Sequence, residues 1–237
     1  MTAPSDARRI WSLLLMLLAL AAASVSPLIF PAAEAGYGNL SDFAVQFLLP
    51  AIAVLIVIVA LGWKWAPRVA RAVFRGAIAG MIATIALEVI RLAGYHWGFM
   101  PGNLPELMGV LLLNRFALAP STASNIAGWA YHFWNGASFA IIYVLILGTS
   151  HRWVGALYGI AVGVGFMLSP VVISLGVGYF GLDYSWGFPV TVLLAHLAFG
   201  YSLALLAHRF LGPQPSPLFS ELRGIFKAES SVATSPD

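Results

Sequence analysis

Residues 44–63 read AVQFLLPAIAVLIVIVALGW and contain no charged side chain. Twenty residues of α-helix, at about 1.5 Å per residue, extend roughly 30 Å, which is the thickness of the hydrocarbon core of a bilayer. The run is continuously apolar and lacks the two-residue or 3.6-residue alternation of strands and helices at a soluble surface. It therefore predicts a membrane-spanning helix.

The composition of the whole chain agrees with a membrane protein. Of its 237 residues, 60% are hydrophobic and 9% are charged, whereas an average soluble domain is about 45–50% apolar and about 25% charged. Cysteine is absent, which excludes disulfides, thiolate metal ligands, iron–sulfur clusters and cysteine nucleophiles. The sequence also lacks a P-loop, a dinucleotide-binding fingerprint and nucleic-acid-binding modules. Any chemistry is expected in or at the lipid bilayer, and nucleic acid is not an expected partner.

Six stretches are long and apolar enough to cross the hydrocarbon core, so the predicted fold is an all-α, polytopic transmembrane helical bundle. The segment 104–116, LPELMGVLLLNRF, is too short and too polar to span, and it is expected to form an external re-entrant or interfacial helix. The predicted spans are 10–30, 44–63, 75–97, 125–148, 153–177 and 187–208.

These spans divide the chain into three predicted regions. Residues 1–63 form an N-terminal transmembrane hairpin, and residues 64–211 form a four-span core that includes the external helix. Residues 212–237 are rich in proline and serine and predict a cytoplasmic, partly disordered tail. Within this tail, LFSELRGIFK at 218–227 predicts a short surface helix.

The basic residues predict the orientation. If six spans alternate in direction, ten of the 12 lysines and arginines fall on one side, and the positive-inside rule assigns that side to the cytoplasm. Both termini are then cytoplasmic, in a bacterial-type inner (plasma) membrane. Alternatively, ARRIWSLLLMLLALAAASVSP at 7–27 has the parts of a secretory signal, and its cleavage would leave five spans. The ten residues are Arg8, Arg9, Lys64, Arg68, Arg71, Arg75, Arg152, Arg209, Arg223 and Lys227.

Two short patterns recur and indicate a possible internal repeat of two helices. Gly-Ala-x-x-Gly occurs at 76–80 in the third span and at 155–159 in the fifth. His-x-x-x-Gly occurs at 132–136 in the fourth span and at 196–200 in the sixth. Spans three and four would then correspond to spans five and six, with glycines that let helices approach closely. Chance is the alternative, because glycine and alanine are plentiful in this chain.

Polar residues within the predicted spans are the candidate site, because ionisable groups are costly inside a bilayer and mark function. Counted from the basic side at about 1.5 Å per residue, Glu88, His132 and His196 lie roughly 20–24 Å deep. Met167 lies at the same depth and, by the repeat, at the position that corresponds to Glu88. These four side chains therefore predict one layer in the outer half of the bilayer.

Two further polar residues share helix faces with this layer. Arg91 follows Glu88 by three residues, and Asn135 follows His132 by three, so each pair lies on one face of its helix. Small residues accompany both faces and indicate that they point into the bundle. The predicted intramembrane polar site is therefore Glu88, Arg91, His132, Asn135 and His196.

Several chemistries fit this polar layer, and the sequence leaves them open. A structural network would hold helices together through hydrogen bonds. A metal site would use Glu88, His132 and His196, with Met167 as a fourth ligand, for copper, iron or zinc. A haem would be held between His132 and His196. A proton or solute pathway would use the carboxyl and the imidazoles as a relay.

The segment 129–209 has a characteristic order of motifs. WAYHFWNG opens a histidine-bearing helix, SHRW forms a short basic turn, a glycine-opened helix with a proline inside it follows, and LLAHLAFGY opens the last helix. In this order the segment resembles the small YagU-type inner-membrane proteins. The resemblance implies a helical inner-membrane protein and no particular reaction.

The leading functional prediction is handling or transport of an ion, a metal or a small solute across the inner membrane. A structural or assembly subunit of a membrane complex is the alternative, and a metal- or haem-dependent redox protein in the membrane is the third. Expected partners are the lipid bilayer and either other membrane subunits or further copies of this chain.

Overall fold

A computed structural model describes residues 6–224, and the regular elements of this range are helices. Among residues 6–224, five helices are long and apolar enough to cross a membrane, namely α1, α2, α3, α5 and α8. The prediction of a helical membrane bundle is confirmed. The helices are α1 (Asp6–Glu34), α2 (Leu40–Trp65), α3 (Pro67–His96), α4 (Leu104–Leu112), α5 (Thr122–Leu147), α6 (Arg152–Met167), α7 (Pro170–Ser174) and α8 (Gly187–Leu211), with a 3₁₀ turn at Tyr179–Gly181.

The fifth predicted span, 153–177, is not a continuous helix. Helix α6 ends at Met167, and α7 begins at Pro170. A residue before proline is disfavoured in the α conformation, and Ser169 is accordingly extended, with φ −76° and ψ 158°. Its hydroxyl donates a hydrogen bond of 2.7 Å to the carbonyl of Phe166. The predicted helix is therefore divided before Pro170 into two shorter helices. Helix α6 is not among the five helices of spanning length.

Helix α4 lies where the external helix was predicted, although it ends at Leu112 rather than near residue 116. It packs unusually closely on the start of α5. A Cβ at Gly109 would overlap the carbonyl of Ser124, and one at Gly128 would overlap the carbonyl of Pro105. Glycine at both positions lets the two backbones touch, which holds α4 against α5.

The core of the bundle consists of α3, α5, α6 and α8, in which α3 packs against α5 and α8, and α6 packs against α8. Helices α1 and α2 pack together, α1 also contacts α5, and α2 contacts α3. Residues 217–224 are helical, as LFSELRGIFK predicted. The end of the tail, 225–237, lies outside the described residues.

Candidate functional site

A cavity of about 780 Å³ lies within the bundle. Of the helices α1 to α8, all but α2 contribute to its wall, which is mostly apolar and includes five phenylalanine side chains. Binding sites for small molecules have this size and composition, with a few polar groups that orient the ligand. The polar residues of the wall are Ser24, Thr84, Arg91, Asn103, His132, Asn135, Ser169 and His196.

One residue of this wall, Arg91, belongs to a buried ion pair with Glu88. Arg91 donates two hydrogen bonds of 2.7 Å to the carboxylate of Glu88, one from Nε and one from Nη2. Both residues are 5% exposed and lie three positions apart on α3, so one helix supplies both charges. The two parallel bonds hold the guanidinium and the carboxylate in one fixed arrangement. The sequence placed Arg91 and Glu88 on one helix face, and their side chains are in contact there.

His132 brings a second helix to the ion pair. Its Nε2 atom, on α5, lies 2.8 Å from Oε1 of Glu88. Among residues 6–224, this Nε2 atom has no hydrogen-bond partner, so the contact is one of proximity to the negative charge. Trp129, one turn earlier on α5, places its ring centroid 5.9 Å from Cζ of Arg91 as a cation–π partner.

Asn103 completes the surroundings of Arg91. Its Oδ1 atom accepts a 3.0 Å hydrogen bond from Nη2 of Arg91, which ties the residue before α4 to α3. Within residues 6–224, Nη1 of Arg91 is buried and has no hydrogen-bond partner. Sequence reasoning missed Asn103 and Trp129. Two signals in the sequence could have indicated them. Asn103 directly precedes a predicted helix, and Trp129 lies three residues before His132 on the same helix.

Asn135 lines the cavity but belongs to a different contact. Its Oδ1 atom accepts a 2.8 Å hydrogen bond from the hydroxyl of Ser26 on α1. The hydroxyl of Tyr131 donates a 2.7 Å bond to the carbonyl of Ser26. These bonds hold α1 against α5, and α1 also supplies Leu28 and Phe30 to the cavity wall. The first helix is therefore part of the candidate site, whereas sequence analysis placed the site in the four later spans.

His196 lies on the wall of the same cavity. Its Nδ1 atom is 2.8 Å from the carbonyl of Val192, one turn earlier on α8, and its ring stacks on Phe166 with a centroid separation of 6.1 Å. If Nδ1 carries the proton of the neutral ring and donates to that carbonyl, Nε2 is an acceptor. His196 therefore offers an acceptor, while Arg91 offers donors.

The glycine contacts of the two helix pairs match each other. A Cβ at Gly80 would overlap the carbonyl oxygen of Gly136, where α3 meets α5. A Cβ at Gly155 would overlap the carbonyl oxygen of Gly200, where α6 meets α8. The contacts therefore pair Gly155 with Gly80. The sequence patterns pair Gly155 with Gly76, which is one helical turn earlier.

This shift changes the position that corresponds to Glu88. Eight residues after Gly155 lies Gly163, and a Cβ there would stand 2.9 Å from Cγ of His196. In the pair α6–α8, His196 therefore contacts Gly163. At the corresponding position of the pair α3–α5, His132 contacts the carboxylate of Glu88. Met167 instead lies fully buried in an apolar cluster with Met100, Val172 and Phe188. The correspondence predicted between Met167 and Glu88 is not the one that the contacts support.

The predicted metal site receives no support from this arrangement. Among the described residues, no group of three or more histidine, aspartate and glutamate side chains is placed to hold a metal ion. Glu88 is bound by Arg91 and approached by His132, whereas His196 bonds its own helix and Met167 lies in the apolar cluster. The copper, iron, zinc and haem hypotheses stay predictions.

Similarity gives no independent indication of function. Comparison with known proteins finds no matching family model, no matching curated protein and no matching solved structure. The resemblance of 129–209 to YagU-type proteins therefore stays a prediction, and the function is argued from the geometry of the site.

Proposed function

We propose that this protein binds a small, mostly apolar solute with one polar group and moves it across a bacterial-type inner membrane. The observation that carries the proposal is the cavity of about 780 Å³, whose mostly apolar wall includes Arg91 and His132, the two residues that contact Glu88. Such a wall favours an apolar body, and the cluster gives a polar group a defined place to bind.

The chemistry of the cluster indicates the polar group. The bidentate pair is neutral as a unit, so the site needs no counterion. Arg91 lines the cavity, and its Nη1 atom is buried without a hydrogen-bond partner among residues 6–224, which is destabilising by about 1–3 kcal/mol; an acceptor on a solute that reached this atom would relieve that cost. The preferred solute therefore carries a hydrogen-bond acceptor, as a carboxylic acid or a carbonyl compound does.

The helix arrangement supports entry from the bilayer. Helix α1 packs on α2, α5 and α7, and α6 packs on α8. Leu28 of α1 lines the cavity and is 63% exposed, and Gly165 of α6 also lines it and is exposed. An apolar solute dissolved among acyl chains would pass between α1 and α6 without entering water.

We propose that the broken segment α6–α7 also crosses the membrane, so that the chain makes six passes. Gly155, near the start of α6, meets the end of α8 at Ala204, while Val172 and Val177 cluster with Phe188 near the start of α8. The broken segment α6–α7 thus runs along most of α8. Interrupted helices are tolerated at membrane depth where they line a cavity, and six passes put both termini in the cytoplasm.

A structural or assembly subunit is the second candidate. The contact between His132 and Glu88 favours it, because this contact joins two helices. The two hydrogen bonds of the ion pair lie within α3, however, and hold no helices together. A structural role also gives no reason for a large cavity, so we place solute binding first.

Binding of a fluorescent carboxylic acid tests the proposal. We would titrate 11-(dansylamino)undecanoic acid into the detergent-purified protein and into two tryptophan variants. Gly165→Trp adds bulk at the cavity wall. Because a Cβ at Gly165 meets no atom of the described residues within 4 Å, the fold should tolerate it. Ala53→Trp adds the same bulk on exposed α2, which does not line the cavity, and serves as the control.

The proposal predicts saturable binding to the wild type and to Ala53→Trp, and at least about tenfold weaker binding to Gly165→Trp, equivalent to about 1.4 kcal/mol. Wild-type proteoliposomes should also move the probe between leaflets faster than Gly165→Trp proteoliposomes. Equal fluorescence with all three proteins would show partition into micelles and would favour the structural alternative.

A further inference from the structure

A second, smaller cavity of about 160 Å³ lies where α3 begins and α8 ends. It is lined by Arg68, Arg71, Arg75, Leu211 and Gln214, and we call it the arginine pocket. It shares no lining residue with the solute cavity.

Three guanidinium groups give the arginine pocket its charge. Arg68, Arg71 and Arg75 follow at intervals of three and four along the first turns of α3, so they share a helix face. Arg75 donates a 2.6 Å hydrogen bond from Nη1 to the carbonyl of Phe210 near the end of α8. Arg71 donates from Nε to the carbonyl of Pro67. Each guanidinium has five N–H groups, so donors remain for a ligand.

No carboxylate neutralises this charge within the described part of the chain, where the ion pairs are those of Glu88. The N-terminal end of α3, a helix of 30 residues, begins next to the arginines and adds the positive end of its dipole. The arginine pocket is therefore strongly positive, and an anion is the complementary ligand.

The backbone of Gln214, a residue of the arginine pocket, is held by hydrogen bonds to Thr149. Its backbone N–H donates a 2.7 Å hydrogen bond to the hydroxyl of Thr149, and its carbonyl accepts a 3.1 Å bond from the backbone N–H of Thr149. Gly148, with φ +69°, allows this close approach, because a Cβ there would stand 2.7 Å from the carbonyl oxygen of Gln214. Proline on both sides of Gln214 stiffens the segment further.

The side chain of Gln214 has an unused donor. Its Nε2 atom is buried and has no hydrogen-bond partner within residues 6–224. Native proteins rarely leave a buried donor unpaired, and an unseen ligand is one recognised reason. Gln214 therefore brings a neutral donor to the pocket that the three arginines line, and this combination of donors suits an anion.

We infer that the arginine pocket binds a phosphate group, supplied by the headgroup of an anionic membrane lipid or by free phosphate. Phosphate offers several acceptor oxygens, and guanidinium groups match its geometry with paired hydrogen bonds. The position at the ends of membrane helices is the level of lipid headgroups, where basic pockets between helices hold anionic lipids.

The test measures thermal unfolding of the full-length protein in an uncharged detergent. Dioctanoyl phosphatidylglycerol, dioctanoyl phosphatidylcholine and inorganic phosphate are each titrated at constant ionic strength. Arg71→Gln and Gln214→Ala remove donors from the arginine pocket. Arg152→Gln removes the same charge from an exposed residue at the same end of the bundle but outside the pocket, and is the matched control.

We expect phosphatidylglycerol to raise the unfolding temperature of the wild type saturably and phosphatidylcholine to raise it less. Apparent affinity should fall about fivefold in Arg71→Gln, as expected for one arginine at the headgroup level. It should also fall in Gln214→Ala and stay unchanged in Arg152→Gln. If inorganic phosphate gives the same stabilisation as the lipid, free phosphate is the source, and if only the lipid stabilises, the headgroup is.

Two results would overturn the inference. The first is an equal loss of affinity in Arg71→Gln and Arg152→Gln, which would show attraction to a diffuse positive surface. The second is a wild-type protein that neither the lipid nor phosphate stabilises. Arg68→Gln repeats the test with another exposed arginine of the pocket, so that a folding defect of Arg71→Gln, visible in its unfolding temperature without ligand, does not decide the outcome.

Discussion

The Nε2 atom of His132 on α5 lies 2.8 Å from Oε1 of Glu88 on α3. Because Glu88 is also bound twice by Arg91 of its own helix, this carboxylate is the shared centre of three ionisable side chains from two helices. The negative charge of Glu88 therefore balances the positive charge of Arg91 inside the bundle.

Glu88→Gln should destabilise the protein by about 3–5 kcal/mol, because it leaves the buried charge of Arg91 without a counter-charge. The double variant Glu88→Gln/Arg91→Met should be more stable than Glu88→Gln, since it removes both charges. The free energy of unfolding in mixed micelles measures both effects. Glu106→Gln, which changes a carboxylate outside the ion pair, is the control and should stay close to the wild type.

A wild-type free energy of unfolding for Glu88→Gln would contradict this account of the ion pair. A double variant that is less stable than Glu88→Gln would do so as well, because the charge of Arg91 would then not be the source of the instability.

Gly80→Ala should be destabilising by roughly 1–3 kcal/mol, because its Cβ would overlap the backbone of Gly136 and force α3 and α5 apart. Gly165→Ala is the matched control, since a Cβ there meets nothing within 4 Å and alanine favours a helix by about 1 kcal/mol. Thermal unfolding distinguishes them. If the two variants shift the unfolding temperature equally, the close helix contact at Gly80 is not the one described.

Sequence reasoning predicted much of this site because the cost of charge in a bilayer restricts where ionisable residues can lie. Counting residues from the basic side of each span predicted that Glu88 and His132 lie at one depth. The spacing of three residues predicted that Glu88 and Arg91 share a helix face. The contact of Glu88 with both residues agrees with that reasoning.

The remaining features depend on packing that local patterns do not contain. The docking of Ser26 on Asn135 joins residues more than 100 positions apart, and the repeat patterns placed α6 one turn away from its observed register. Asn103, the residue before α4, bonds Arg91 of α3, and the position of α4 depends on the glycines at its contact with α5. The break before Pro170 was foreseeable, since proline restricts the residue that precedes it.

Single cysteines test the six-pass topology directly, because the chain has no cysteine of its own. Arg152→Cys and Tyr184→Cys place a thiol at each end of the broken segment α6–α7, and both native residues are exposed. A membrane-impermeant maleimide added to intact cells and to inverted vesicles should label them from opposite sides. Lys64→Cys should behave as Arg152→Cys does. Labelling of Arg152→Cys and Tyr184→Cys from the same side would mean that α6–α7 does not cross.

The most direct test of the central claim is photo-crosslinking of a fatty acid that carries a diazirine, followed by peptide mapping. If the cavity holds an apolar solute, labelling should be saturable, should be displaced by excess octanoic acid, and should fall on Met108, Phe139 and Phe166 of its wall. Gly165→Trp should abolish this labelling. Labelling confined to exposed side chains of α2, such as Ile56 and Val57, and unaffected by octanoic acid, would contradict solute binding in the cavity.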